Sequence, residues 1–144
     1  MKRSKHGFTL IEVLIAVVIV GILGALALPA YSRYVLRSQR IEAKTLLNLI
    51  AQRQERFFST YNVYSGNLVA GGSAGLGMTS NCGAAIGSEN CLYIADAETS
   101  NEGLQYAITA TPQARQSTDV CKVLTLLGTG EKTYTGAATN GACW

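Results

Sequence analysis

The apolar and polar positions divide this chain into three textures. Residues 8–28 read FTLIEVLIAVVIVGILGALAL, a nearly unbroken apolar run of 21 positions in which Glu12 is the only charge. As a helix this run would extend about 32 Å, enough to cross the hydrocarbon layer of a membrane. Further on, the apolar positions thin to a helical period. Leu36, Ala43, Leu47, Ile50, Phe57 and Tyr61 recur at helical spacing, and Leu46 and Phe58 widen the stripe. The pattern predicts one long helix reaching about Tyr61, with its second half laid against a sheet.

The second texture has no period. Between residues 62 and 90, Ser65-Gly66, Gly71-Gly72-Ser73, Gly75, Gly77, Gly83 and Gly87 predict a loop. The third is β-like. Leu92 to Ala95, Leu104 to Thr111, Val120 to Leu127 and Lys132 to Thr135 are four strand candidates joined by links too short for helical crossovers. The expected class is therefore α+β, a long N-terminal helix packed on an antiparallel sheet of about four strands. Gly21, Gly24 and Pro29 weaken the helix, and Pro29 is expected to kink it because its ring removes a backbone hydrogen bond.

Charge changes this picture at two places. Lys2, Arg3 and Lys5 precede the apolar run and place its N-terminal end in the cytoplasm by the positive-inside rule. They also account for the formal charge of +3, since the remaining nine Lys/Arg face nine Asp/Glu. Neutral beyond residue 7, the chain lacks the bulk positive field of a strong nucleic-acid binder, so any such contact needs a local patch. Arg115, Lys122 and Lys132 are the candidate patch, with Tyr134 or Trp144 as a stacking surface. Arg33, Arg37 and Arg40 on the helix read either as contacts to neighbouring subunits or nucleic acid, or as a solvated face.

Cys82, Cys91, Cys121 and Cys143 all follow the apolar run. An even count in a small domain beyond a membrane segment predicts an oxidising compartment and two disulfides. Three pairings exist; the short-loop arrangement, Cys82–Cys91 with Cys121–Cys143, is preferred because each pair brackets a loop-like stretch. No Cys-x-x-Cys occurs and the only histidine is His6, which argues against zinc. Asp96, Glu98 and Glu102 lie between the first two strand candidates without the glycine-containing pattern of a calcium loop, and a solvated turn is the simpler expectation. With no histidine after residue 7, no nucleophile elbow and no phosphate loop, neither enzyme activity nor a metal or cofactor is expected.

The stretch Gly7-Phe8-Thr9-Leu10-Ile11-Glu12, set between a basic segment and an apolar helix, resembles the prepilin signature of type IV pilins. The order of leader, helix, glycine-rich loop, sheet and closing Cys143-Trp144 is similar to type IVa pilins, with a minor-pilin-like C-terminal region. The resemblance implies residues 1–7 as a leader, 8–28 as the membrane and filament-core helix, and 29–144 as the head. It implies cleavage by prepilin peptidase between Gly7 and Phe8, N-methylation of Phe8, and subunit assembly through Glu12 and Thr9. Other pilin subunits, the inner membrane before assembly and an extracellular pilus follow as partners and location. The implied function is a structural pilus subunit serving adhesion, twitching motility or DNA uptake at filament level. Two alternatives carry the same signature: a minor pilin acting as a DNA-binding module in natural transformation, and a pseudopilin of a type II secretion system.

Overall fold

The computed structural model describes residues 8–137 and 143–144. The expected leader, residues 1–7 and with it Gly7 of the cleavage junction, lies outside the described residues. Two compact units divide the chain, Met1–Val35 and Leu36–Trp144.

The first unit is the early part of helix α1 (Leu10–Tyr61), whose assignment runs unbroken through Gly21, Gly24 and Pro29. Its apolar side chains, Leu10 to Leu28, stand almost wholly exposed. By length and composition α1 is able to cross a membrane. Thr9 precedes its first turn, and the Glu12 backbone N–H donates to Thr9 Oγ1 at 3.4 Å. A Thr-x-x-Glu start is the capping-box arrangement, in which the hydroxyl takes up one orphan N–H of the first turn.

The second unit is a single core built between the rest of α1 and a five-stranded antiparallel sheet of order β1-β2-β3-β4-β5. The strands are β1 (Ile86–Gly87), β2 (Tyr93–Ser100), β3 (Gln105–Pro112), β4 (Leu124–Leu127) and β5 (Lys132–Tyr134). Alternation decides which faces are covered. Tyr93, Ala95 and Ala97 on β2, Tyr106, Ile108 and Ala110 on β3, and Leu124 and Leu126 on β4 turn inward. They meet Ala43, Leu46, Leu47, Ile50 and Phe57 of α1. Register follows from this shared face: Ala97 lies opposite Ile108, and Ile108 opposite Leu126.

Four expectations are corrected. The sheet has five strands rather than about four, because β1 is only two residues long and exists through its pairing with β2. The first expected strand runs on to Ser100, so Asp96 and Glu98 are outward positions of β2 rather than members of a turn. The expected strand from Val120 starts only at Leu124. Lys122 adopts a left-handed φ of 56° and Cys121 is tied to Cys143, which turns the chain before it joins the sheet. Tyr61, placed in the buried stripe by its spacing, is exposed at the helix end.

Two polar residues occupy core-facing positions of α1, and each is satisfied by distant backbone or charge. Gln54 clamps the start of the glycine-rich loop, its Nε2 donating to Ser65 O at 2.6 Å while its Oε1 accepts from Ser65 N at 3.0 Å. Arg40 is the other. It was expected to be on a subunit-facing or solvated surface, yet it is 6% exposed. Its Nε and Nη2 each donate to Asp119 at 2.6 Å, a two-pronged bond between positions 79 apart in sequence. The planar guanidinium fork matches the carboxylate, which is how an arginine is tolerated inside a small core.

Both bridges take the short-loop pairing. Cys82–Cys91 has Cα atoms 5.6 Å apart and closes the end of the glycine-rich loop against β2. Cys121–Cys143 has Cα atoms 5.7 Å apart and is fully buried.

Candidate functional site

Three cations of the head, Arg37, Lys44 and Lys132, gather on one flank of α1. Arg37 and Lys44 are seven residues apart, two helical turns, and so share a face. Lys132 comes to them from β5, the edge strand. Burial, and then the like charges of Arg40, Lys132 and Arg37, hold the Lys44 ammonium below its ordinary pKa. The like-charge effect on Lys44 places Lys132 and Arg37 near it. It also marks a place where an incoming anion relieves a cost already present.

Trp144 holds one member of the cluster, Lys132. Its indole Nε1 donates to Thr133 O at 2.9 Å, and the neighbouring Cys143 is bridged to Cys121. The ring is therefore fixed beside β5, and Lys132 Nζ lies 5.5 Å from its centroid. This cation–π contact steers the ammonium and leaves its other donors free for a ligand.

The three residues expected as a patch do not share one surrounding. Lys122 Nζ donates to Ser117 O at 2.7 Å, which ties it to the short 3-10 helix Ala114–Thr118 that carries Arg115. Lys132 instead sits with Arg37 and Lys44. The sequence places Lys44 among the charged positions of the helix but gives it no site role, because a single lysine on a charged helix carries no signal. Only the antiparallel pairing of β5 with β4, which brings Lys132 beside the helix flank, creates the group.

At the Arg40 end of the helix, Gln116 Nε2 donates both to Leu36 O at 3.0 Å and to the Tyr93 hydroxyl at 2.8 Å. Burial pushes the Tyr93 hydroxyl up to about 12, against the opposing bond from Gln116. At the other end, burial and then the charge of Glu55 push Tyr106 up to about 12. Both groups are acids held neutral by the fold, so their contribution is complete below the ordinary value of 10.0 and is lost as pH rises towards 12. Each contributes on the order of 2 kcal/mol over that window. Melting temperature is expected to fall steeply there, in step with tyrosinate absorbance; a flat profile would contradict the buried placement of both rings.

Among the described residues no group of three or more His, Cys, Asp or Glu side chains is placed to hold a metal ion.

Fold and N-terminal segment together define a type IV pilin subunit. Residues 2–28 match the family model for the prokaryotic N-terminal methylation motif. Residues 29–125 match the model described as "Type IV minor pilin ComP, DNA uptake sequence receptor", and the chain belongs to that family. Fimbrial protein EcpC of Eikenella corrodens is 42% identical over 74 residues, covering 51% of this chain and 48% of that protein. Type IV major pilin protein PilA of Myxococcus xanthus is 48% identical over 61 residues, 42% of this chain and 28% of that one. The chain thus spans less than half the length of these curated relatives. A type IV pilin structure from Shewanella oneidensis superposes with a TM-score of 0.51 at 22% identity, covering 76% of this chain and 97% of that one, a likeness of fold.

Proposed function

We propose that this chain is a minor pilin that enters a type IV pilus through α1 and offers the pilus a DNA contact on its head. In this reading prepilin peptidase cuts between Gly7 and Phe8, Phe8 is N-methylated, and the chain waits in the inner membrane until assembly. Glu12, together with Thr9, sits at the exposed start of α1 and meets the new terminal amine of a neighbouring subunit. Gly21, Gly24 and Pro29 let the helix adjust as it joins the bundle.

The observation that carries the DNA reading is the Arg37–Lys44–Lys132 cluster braced by Trp144. Three neighbouring cations with no carboxylate partner among the described residues suit a phosphate backbone. Membership of a family described as a DNA uptake sequence receptor supports the same ligand. A second, purely structural role on the filament stands if the cluster proves silent.

The test uses the full chain in non-ionic micelles with duplex DNA at several salt concentrations. Three phosphate contacts give a slope of roughly −3 in log affinity against log salt, and each lysine removed lowers that slope by about one. Lys44→Ala with Lys132→Ala is expected to leave the fold intact and weaken binding at every sequence tested. Binding that keeps its affinity and slope in the double variant would remove this site from consideration.

A further inference from the structure

A second cationic site lies on the opposite flank of the same helix. Arg53 and Arg56 are three residues apart and so lie side by side on α1. Arg53 is nine positions beyond Lys44, two and a half turns, which puts it about half a turn away from the Arg37–Lys44 face. Among the described residues neither guanidinium has a carboxylate partner. They open instead onto a cavity of about 260 Å³ shared with Phe57, Tyr61 and the glycine-rich loop.

The loop that walls this cavity is held in place. Asn67 Oδ1 accepts from Val69 N at 3.0 Å and Ala70 N at 2.9 Å. Leu76 N donates to Asn67 O at 2.9 Å, and Gly77 N to Ala70 O at 2.7 Å. Gly75 sits where a Cβ would lie 2.5 Å from Asn67 O and 2.7 Å from Ala70 O, so only glycine fits the turn. Gly77, with φ of 61°, needs the same freedom. The wall is thus preformed and thin, which keeps the cavity open beside the arginines.

Aromatic surface completes it. Phe57 and Tyr61 are in ring contact with centroids 4.6 Å apart; Phe57 is buried and Tyr61 exposed. A fixed aromatic pair beside two free guanidinium forks recognises a planar ring joined to an anion. The volume lies just below the range of about 300–1,000 Å³ typical of small-ligand sites.

We propose that this cavity takes one unpaired nucleotide of single-stranded DNA, its phosphate in the Arg53–Arg56 forks and its base against Tyr61. A paired base inside a duplex cannot reach Tyr61, so the site is selective for single strands, whereas the Lys44 cluster meets a phosphate backbone in either form. The two sites face away from each other, so each is separately removable. This inference shares the nucleic-acid ligand class of the proposed function, but it rests on different residues and its failure is distinguishable.

The experiment measures binding of a thymidine oligonucleotide, an abasic oligonucleotide of equal length, and inorganic phosphate to the full chain in non-ionic micelles. The wild-type chain is expected to bind the thymidine strand roughly tenfold more tightly than the abasic one, the size of one base–aromatic stack. Tyr61→Ala is expected to erase that difference and leave the abasic strand unchanged. Arg53→Ala with Arg56→Ala is expected to weaken thymidine-strand binding at least tenfold, while leaving Lys44-dependent duplex binding and the melting temperature unaltered. Arg53→Lys with Arg56→Lys keeps the charge but loses the forks, and should recover less than half of the lost affinity. Equal binding of thymidine and abasic strands, or competition by phosphate as effective as by the thymidine strand, would overturn the nucleotide assignment. Loss of single-strand binding in Lys44→Ala with Lys132→Ala but not in the arginine variants would place that ligand on the other face.

Discussion

Replacing Arg40 by alanine is expected to destabilise the head by about 3–5 kcal/mol, a large share of the total for a domain of this size. The carboxylate of Asp119 is only 2% exposed and receives two donors from Arg40. Without the guanidinium it is a buried charge with its principal partner gone. Water cannot replace that partner without opening the contact between α1 and the segment that leads to β4. The pair itself is a weaker stabiliser than this loss suggests, because both ions gave up hydration to form it. Arg40→Met with Asp119→Leu is therefore expected to recover most of the loss, since apolar groups of similar size leave no unpaired charge. Chemical denaturation of the two single variants and the double variant measures the coupling. A loss below about 1 kcal/mol in Arg40→Ala, the range of surface ion pairs, would show the pair to be solvated in the working molecule.

Arg40 also shows where reading the sequence stopped. The buried seam of α1 was legible because Ala43, Leu47, Ile50 and Phe57 repeat at the period of a helix, and the period is a property of neighbours in sequence. Arg40 and Gln54 occupy the same seam, but a polar residue at a core position looks like a solvated one until its partner is known. Those partners, Asp119 and the Ser65 backbone, are set by the path of the whole chain. Strands β3 and β5 were readable from alternation and turn residues. Strand β1 was not, since two residues carry no period and the pairing with Ala95 and Ile94 creates the element. Asp96 and Glu98 misled for a related reason. Acidic residues suggest a turn, although the alternation Tyr93, Ala95, Ala97 already placed them on the outer face of a strand.

Candidate chemistry divides the same way. The N-terminal signature is local, six consecutive residues, and the matched methylation motif covers them. Cationic clusters are not local. Lys44 and Lys132 are brought together by β5 pairing at the sheet edge, and Arg53 meets the glycine-rich loop because Gln54 anchors Ser65 beside the helix. A count of lysines and arginines along the sequence contains neither fact. Net charge hides them as well, because the neutral sum after residue 7 includes acids on the outer face of β2 and a cation already spent on Asp119.

Glu12→Ala is expected to reduce incorporation into filaments by on the order of 100-fold, the equivalent of losing one partner of a buried pair at about 3 kcal/mol. In the described structure Glu12 is exposed in the first turn of α1, surrounded by Phe8, Val13, Ala16, Val17 and Val20. A carboxylate there complements the positive end of the helix while the chain stands alone, so the substitution leaves membrane insertion intact. In the proposed bundle the surroundings become apolar on every side. The terminal amine of a neighbouring subunit is then the group that neutralises Glu12, and in its absence that amine is buried unpaired. Glu12→Gln separates charge from shape, since the amide keeps the size and hydrogen-bonding reach of the acid but offers no counter-charge. Both variants should be processed to a chain beginning at Phe8, accumulate in the membrane fraction, and be depleted from sheared filaments. Wild-type incorporation of Glu12→Gln would mean that the side chain acts through shape or hydrogen bonding, and the charge pairing proposed for assembly would fall with it.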